Sequence, residues 1–92
     1  MNRLFVYLPC YNEAGNIRKL TEEWLAEAEQ LKREQYALSV IPIDDASRDD
    51  TLKIMRELER EGKVRCIAHK VNQNLGGVLM TAIRDFLEHG DF

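Results

Sequence analysis

Two adjacent carboxylates, Asp44 and Asp45, close the apolar run Val40-Ile41-Pro42-Ile43 and open the polar turn Ala46-Ser47-Arg48-Asp49-Asp50-Thr51. Neighbouring residues at the end of an extended segment point to opposite sides, so one of the pair faces a crevice there and the other braces the turn. A carboxylate in such a crevice accepts hydrogen bonds from a base N–H or a ribose hydroxyl. A second polar cluster, Pro9-Cys10-Tyr11-Asn12-Glu13, follows the apolar run of residues 4–8. Tyr11 is an aromatic ring in a loop, able to stack on a flat heterocycle. Asn12 and Glu13 also suit a helix start, as N-cap and first-turn anion. The third cluster is His69-Lys70-Val71-Asn72-Gln73-Asn74-Leu75-Gly76-Gly77. Asn74 suits a helix cap, and Gly76 and Gly77 permit either a tight turn or the approach of backbone N–H groups to phosphate oxygens. His69 and Lys70 read as solvated loop residues or as positive charge for a diphosphate. Asp49 and Asp50 suit the positive end of the next helix, which Ser47 or Asp49 can cap.

Other chemistries lack their residues. No Ser/His or Cys/His constellation appears and no Asp-x-Asp pair occurs. A dinucleotide fold needs three spaced glycines after its first strand, and here only Gly15 is present. The glycines and the Lys-Ser/Thr pair of a phosphate-binding P-loop are missing too. A receiver-type phosphoacceptor site wants its acidic pair after the first strand, whereas this pair follows the second.

The elements that must hold these clusters are read from periodicity. Residues 4–8, 37–43 and 64–68 are short apolar runs expected to be buried strands. Ile17, Leu20, Trp24, Ala28 and Leu31 keep helical spacing over residues 13–34. Leu52, Ile54, Met55 and Leu58 do so until Gly62, and Leu79, Ala82, Ile83 and Phe86 do so over residues 74–90. The order βαβαβα implies an α/β fold with a Rossmann-like parallel sheet and right-handed crossovers. Ligands of such sheets bind outside the carboxyl ends of the strands, where all three polar clusters fall.

The 92 residues make one domain at most, and a chain this short buries only about two thirds of its unfolded surface. With 45% hydrophobic and 32% charged residues it reads as a folded globular domain. A net charge of −3 offers no basic face, so nucleic acid is not an expected partner. Cys10 and Cys66 have no metal or redox spacing and are expected to be reduced thiols in a reducing compartment. No apolar run approaches the ~18 residues of a membrane span. A cytoplasmic chain is expected. Gly90-Asp91-Phe92 reads as the start of a fourth strand, as in a piece of a longer enzyme.

Taken in order, Pro9-x-Tyr11-Asn12-Glu13, Asp44-Asp45-Ala46-Ser47-x-Asp49-x-Thr51 and Asn74-x-Gly76-Gly77 resemble the N-terminal half of family 2 glycosyltransferases of the GT-A fold. The wording is most similar to the branch of polyprenyl-phosphate sugar transferases. The resemblance implies a nucleoside diphosphate sugar, with UDP or GDP, as donor and a lipid phosphate as acceptor. It implies Pro9 and Tyr11 against the base, Asp45 on its N–H, Glu13 or Asp44 near the ribose or bracing the loop, and Asn74, Gly76 and Gly77 in the nucleotide site. The family's Asp-x-Asp motif, which holds magnesium or manganese, and its acidic base are expected beyond Phe92. The full-length enzyme is then expected to use the metal on the cytoplasmic face of a membrane, while residues 1–92 alone bind nucleotide, hold no metal and carry no catalytic residue. The alternative is a non-catalytic α/β module that forms a homodimer through its exposed sheet edge.

Overall fold

A computed structural model describes residues 1–90. The chain runs β1 (Asn2–Cys10), α1 (Ile17–Leu25), α2 (Ala28–Arg33), β2 (Tyr36–Asp44), α3 (Thr51–Arg60), β3 (Ile67–Ala68) and α4 (Asn74–His89). The three strands form one parallel sheet in the order β1-β2-β3. The α/β expectation therefore holds. The register runs from Asn2 opposite Tyr36 to Cys10 opposite Asp44, so β1 and β2 end level and their loops emerge side by side.

Alternation along the strands builds two buried faces, as parallel sheets require. Leu8, Cys10 and Val40 join Ile17 of α1, Met55 of α3 and Cys66 in the main core. Ile41 and Ile43 are fully buried. On the other side of the sheet, Phe5 meets Phe86 edge to face at 5.5 Å, and the Tyr7 hydroxyl donates to Asp85 Oδ2 at 2.7 Å. Arg65 grips the same carboxylate with two bonds of 2.6 and 2.8 Å. Asp85 thus ties α4 to β1 and to the segment leading into β3.

Four expectations are corrected. The strand at residues 64–68 shrinks to Ile67–Ala68. Pro42, in the middle strand, has no N–H to offer its neighbour, and pairing of β2 with β3 begins only at Ile43. The helix at residues 13–34 starts at Ile17 and bends into two, because Glu27 N–H reaches Trp24 O at 3.0 Å, a three-residue step in the four-residue ladder. Its stripe is half outside: Ile17 is buried but Leu20 and Trp24 are exposed. The stripe of α4 faces solvent as well, with Leu79, Ile83 and Phe86 exposed together with Leu75, Met80 and Leu87. Only Val78 and Asp85 of that helix are buried, since β1 is the sheet edge and α4 meets it along one side. Of the expected fourth-strand start, 91 and 92 lie outside the described residues.

Candidate functional site

The level ends of β1 and β2 set two loops against each other, and hydrogen bonds then lock them. Asp45 N–H donates to Cys10 O at 2.9 Å, continuing the ladder one step past the strands. Asn12 N–H donates to Ser47 Oγ at 2.8 Å, and Asn12 Oδ1 accepts from Arg48 N–H at 2.9 Å. Glu13 N–H reaches Thr51 Oγ1 at 2.8 Å and Ala14 N–H reaches Asp49 Oδ2 at 3.2 Å. Asn12 is therefore a cross-brace between loops and not the N-cap of α1; that place falls to Asn16, which makes no side-chain cap. Asp49 does serve the start of α3, its Oδ1 accepting Thr51 N–H at 2.9 Å as well as the Thr51 hydroxyl. Ser47 is occupied by Asn12.

Backbone strain gathers at the same place. Asn12, Ala46 and Asn74 have φ of 54°, 61° and 61°, the left-handed region that costs a residue with a Cβ about 1–2 kcal/mol. Asn12 and Ala46 stand in the loops after β1 and β2 and Asn74 opens α4; the fourth such residue among those described, Gln35 at φ 72°, stands in the turn before β2. Strained conformations that persist are held by their surroundings and cluster at binding sites.

Between these loops lies a cleft of about 460 Å³ lined by Pro9, Cys10, Tyr11, Glu13, Asp45, Asn72, Asn74, Leu75 and Val78. Five of the eight expected site residues, Pro9, Tyr11, Glu13, Asp45 and Asn74, thus line one cleft. Tyr11 is 45% exposed at the cleft and is no part of the core. Asp44 is absent from the lining. It is buried under the second loop, where Oδ2 accepts Ser47 N–H at 3.3 Å and Oδ1 has no hydrogen-bond partner among the described residues. Gly76 and Gly77 lie in the first turn of α4, not in a loop, and do not line the cleft. A Cβ on Gly77 would stand 2.3 Å from Gln73 Cβ, so this glycine lets the turn close on Gln73. Asn74 makes no cap; its own N–H donates to Asn72 Oδ1 at 3.2 Å.

The electrostatics centre on Asp45. Burial opposes its ionisation, but the His69 hydrogen bond and the N–H groups of Gln73 and Asn74 outweigh it and hold its pKa below the usual carboxylate value. Cys10 is a free, buried thiol pushed up to about 12 by burial and by the nearby Asp44 and Glu13 carboxylates. It is no nucleophile at neutral pH. His69 is neither solvated nor turned to a diphosphate, because it is clamped between Asp45 and Thr81 with a side chain 6% exposed. No spacing in the sequence links His69 to Asp45, nor Asn72, whose Nδ2 donates to Asp45 O at 3.1 Å. Among the described residues no group of three or more His, Cys, Asp or Glu is placed to hold a metal ion.

In a parallel α/β sheet the crevice outside the carboxyl ends of the strands is where ligands bind, and the cleft lies there. Residues 5–86 match the model of glycosyl transferase family 2, and the chain belongs to that family. It is 30% identical, over an alignment of 100 residues, to a UDP-N-acetylglucosamine–dolichyl-phosphate N-acetylglucosaminyltransferase of Methanococcus voltae, covering 95% of this chain and 37% of that protein. It is 33% identical over 76 residues to an undecaprenyl-phosphate 4-deoxy-4-formamido-L-arabinose transferase of Proteus mirabilis strain HI4320, covering 83% of this chain and 22% of that protein. The chain therefore spans about a third or less of the curated relatives it matches. No solved structure matches significantly. The family implied by the three motifs is thus established, both relatives are by name polyprenyl-phosphate sugar transferases, and the three-strand parallel sheet is consistent with the N-terminal Rossmann-like part of a GT-A domain.

Proposed function

We propose that the cleft binds the nucleoside diphosphate of a sugar donor, UDP or GDP, as part of a transferase that moves a hexose to a polyprenyl phosphate. The observation that carries this reading is the pairing of an exposed aromatic ring, Tyr11, with a buried ionised carboxylate, Asp45, across one cleft. A ring and an acceptor so placed suit the face and the N–H edge of uracil or guanine. Pro9 adds an apolar edge beside Tyr11, and Glu13 brings a second carboxylate to the lining that would accept from a ribose hydroxyl. Asp44 supports the second loop instead of touching ligand. Gly76 and Gly77 support the first turn of α4, and a helix N-terminus at this edge suits a phosphate.

The acceptor is proposed from the relatives' names, and the cytoplasmic face of a membrane from the resemblance. Among the described residues no helix is long and apolar enough to cross a membrane. Magnesium or manganese in the whole enzyme rests on the resemblance, and the residues described supply loop, base and ribose contacts without it. We expect the 92 residues by themselves to bind nucleotide and to transfer no sugar.

Equilibrium titration of UDP and GDP into the wild-type chain and into Asp45→Asn tests the reading. A carboxylate hydrogen bond to a base N–H is worth about 1.5–3 kcal/mol, so the variant should bind roughly 10- to 100-fold more weakly. Equal affinity of the two proteins would refute it. The self-association reading draws on the exposed apolar side of α4 and on β1 as a sheet edge. Sedimentation showing a tight dimer indifferent to nucleotide would favour it.

A further inference from the structure

His69 precedes the third motif and joins β3 to the cleft wall. Its Nδ1 lies 2.8 Å from Asp45 Oδ1 and its Nε2 lies 2.7 Å from Thr81 Oγ1 on α4. Gln73 N–H donates to the same Asp45 oxygen at 2.8 Å. Both hydrogen bonds fall on Oδ1, while the Asn74 N–H, which also favours the charged carboxylate, donates to Asn72 Oδ1; Oδ2 is the oxygen assigned to the cleft that Asp45 lines. An ionised carboxylate only accepts, so the proton in the Asp45–His69 bond sits on Nδ1. In the neutral ring Nε2 then accepts from the Thr81 hydroxyl. With both nitrogens held, the ring has one orientation, and it passes that orientation to the carboxylate.

We propose that His69 is a positioning residue for base selection: anchored by Thr81, it ties down Asp45 Oδ1 and so presents Oδ2 as the acceptor for a base N–H. The inference rests on the nucleotide reading above and adds the source of its specificity. A carboxylate free to rotate offers either edge and either lone pair. Either oxygen prefers a ring N–H, as in uracil or guanine, to the acceptor ring nitrogen of cytosine, and fixing Oδ2 removes the rotation by which the carboxylate would swing to the exocyclic amino group of cytosine instead.

Two substitutions separate the ring's two bonds. His69→Asn keeps an amide N–H near the place of Nδ1 and loses Thr81, whereas His69→Gln reaches toward Thr81 and loses the donor to Asp45. Calorimetric titration of UDP, GDP and CDP should show the wild-type chain preferring UDP or GDP to CDP by about tenfold or more. His69→Gln should lose that preference while still binding all three, and His69→Asn should keep most of it. Retention of the full preference in His69→Gln would overturn the inference and leave the nucleotide reading standing. Failure of the wild-type chain to bind any of the three would overturn both. If His69→Gln does not fold, the imidazole ¹⁵N spectrum of the wild-type chain decides. Protonation at Nδ1, with a proton shift on adding UDP but not CDP, supports the proposal, and protonation at Nε2 alone contradicts it.

Discussion

At the scale of single residues, the chain places each of its adjacent carboxylates in a different task. Asp45 lines the cleft while Asp44 lies beneath the loop, as alternation at a strand end requires. That division was legible before any coordinates, because it follows from the two-residue period. The partner of Asp45 was not, since His69 lies 24 positions away and no local pattern joins them. Cys10 gives a prediction here. Its thiol titrates near 9 when unfolded and about 12 when folded, so between those values the unfolded chain loses the proton first. The unfolded state then binds fewer protons than the native state, and stability falls as pH rises. Urea midpoints should drop between pH 9 and 11, and Cys10→Ala should flatten that decline; an unchanged slope in the variant would show that the thiol plays no part. Tyr7, whose pKa is raised by burial and by Asp85, adds to the same alkaline limb.

At the scale of elements, hydrophobic runs marked the strands and helices, but what ended them lay elsewhere. Pro42 in β2 shortens β3, and a 3.0 Å bond at Glu27 bends the first helix without any glycine or proline to announce it. The loops hold unusual backbone in place by cross-bracing. Ala46 at φ 61° should therefore gain from glycine: relief of the left-handed cost offsets the entropy of the unfolded chain, leaving Ala46→Gly neutral to about 1 kcal/mol more stable. Ala82→Gly, inside α4, should lose about 1 kcal/mol. Thermal denaturation of the two variants should show opposite or clearly unequal shifts, and equal losses would contradict strain at Ala46. The Arg65–Asp85 pair makes a second case. Arg65→Met leaves the buried Asp85 carboxylate without its guanidinium, and because Arg65 is itself 42% exposed the loss should be roughly 1–3 kcal/mol. Arg65 lowers the Asp85 pKa, so that stability is fully present above the ordinary carboxylate range and is lost as pH falls through the depressed value. Denaturation at neutral pH should separate Arg65→Met from wild type, and the gap should narrow in acid. A gap that widens on acidification would contradict the assignment.

At the scale of the whole molecule, three strands carry helices on both faces, yet α4 turns Leu75, Leu79, Met80, Ile83 and Leu87 outward. The sequence stripe marked the amphipathic side correctly and its burial wrongly, because periodicity reports an apolar face and not what lies against it. Ile83→Glu should change stability by no more than about 0.5 kcal/mol, as at an exposed site, and should raise the concentration at which the chain stays monomeric. A large loss of stability would place that face in a core. The strand-end cleft, by contrast, was readable in outline, since parallel α/β topology alone assigns the loops after β1, β2 and β3 to one edge.

The most direct test of a nucleotide site at that edge is an NMR titration of the ¹⁵N-labelled chain with UDP and then GDP, following backbone amides with and without magnesium. The account predicts saturable shifts at Cys10, Tyr11, Glu13, Asp45 and the segment from Asn72 to Val78, with little change on the outward side of α1. A well-dispersed spectrum that neither nucleotide perturbs, or shifts confined to α1 and α2, would contradict it.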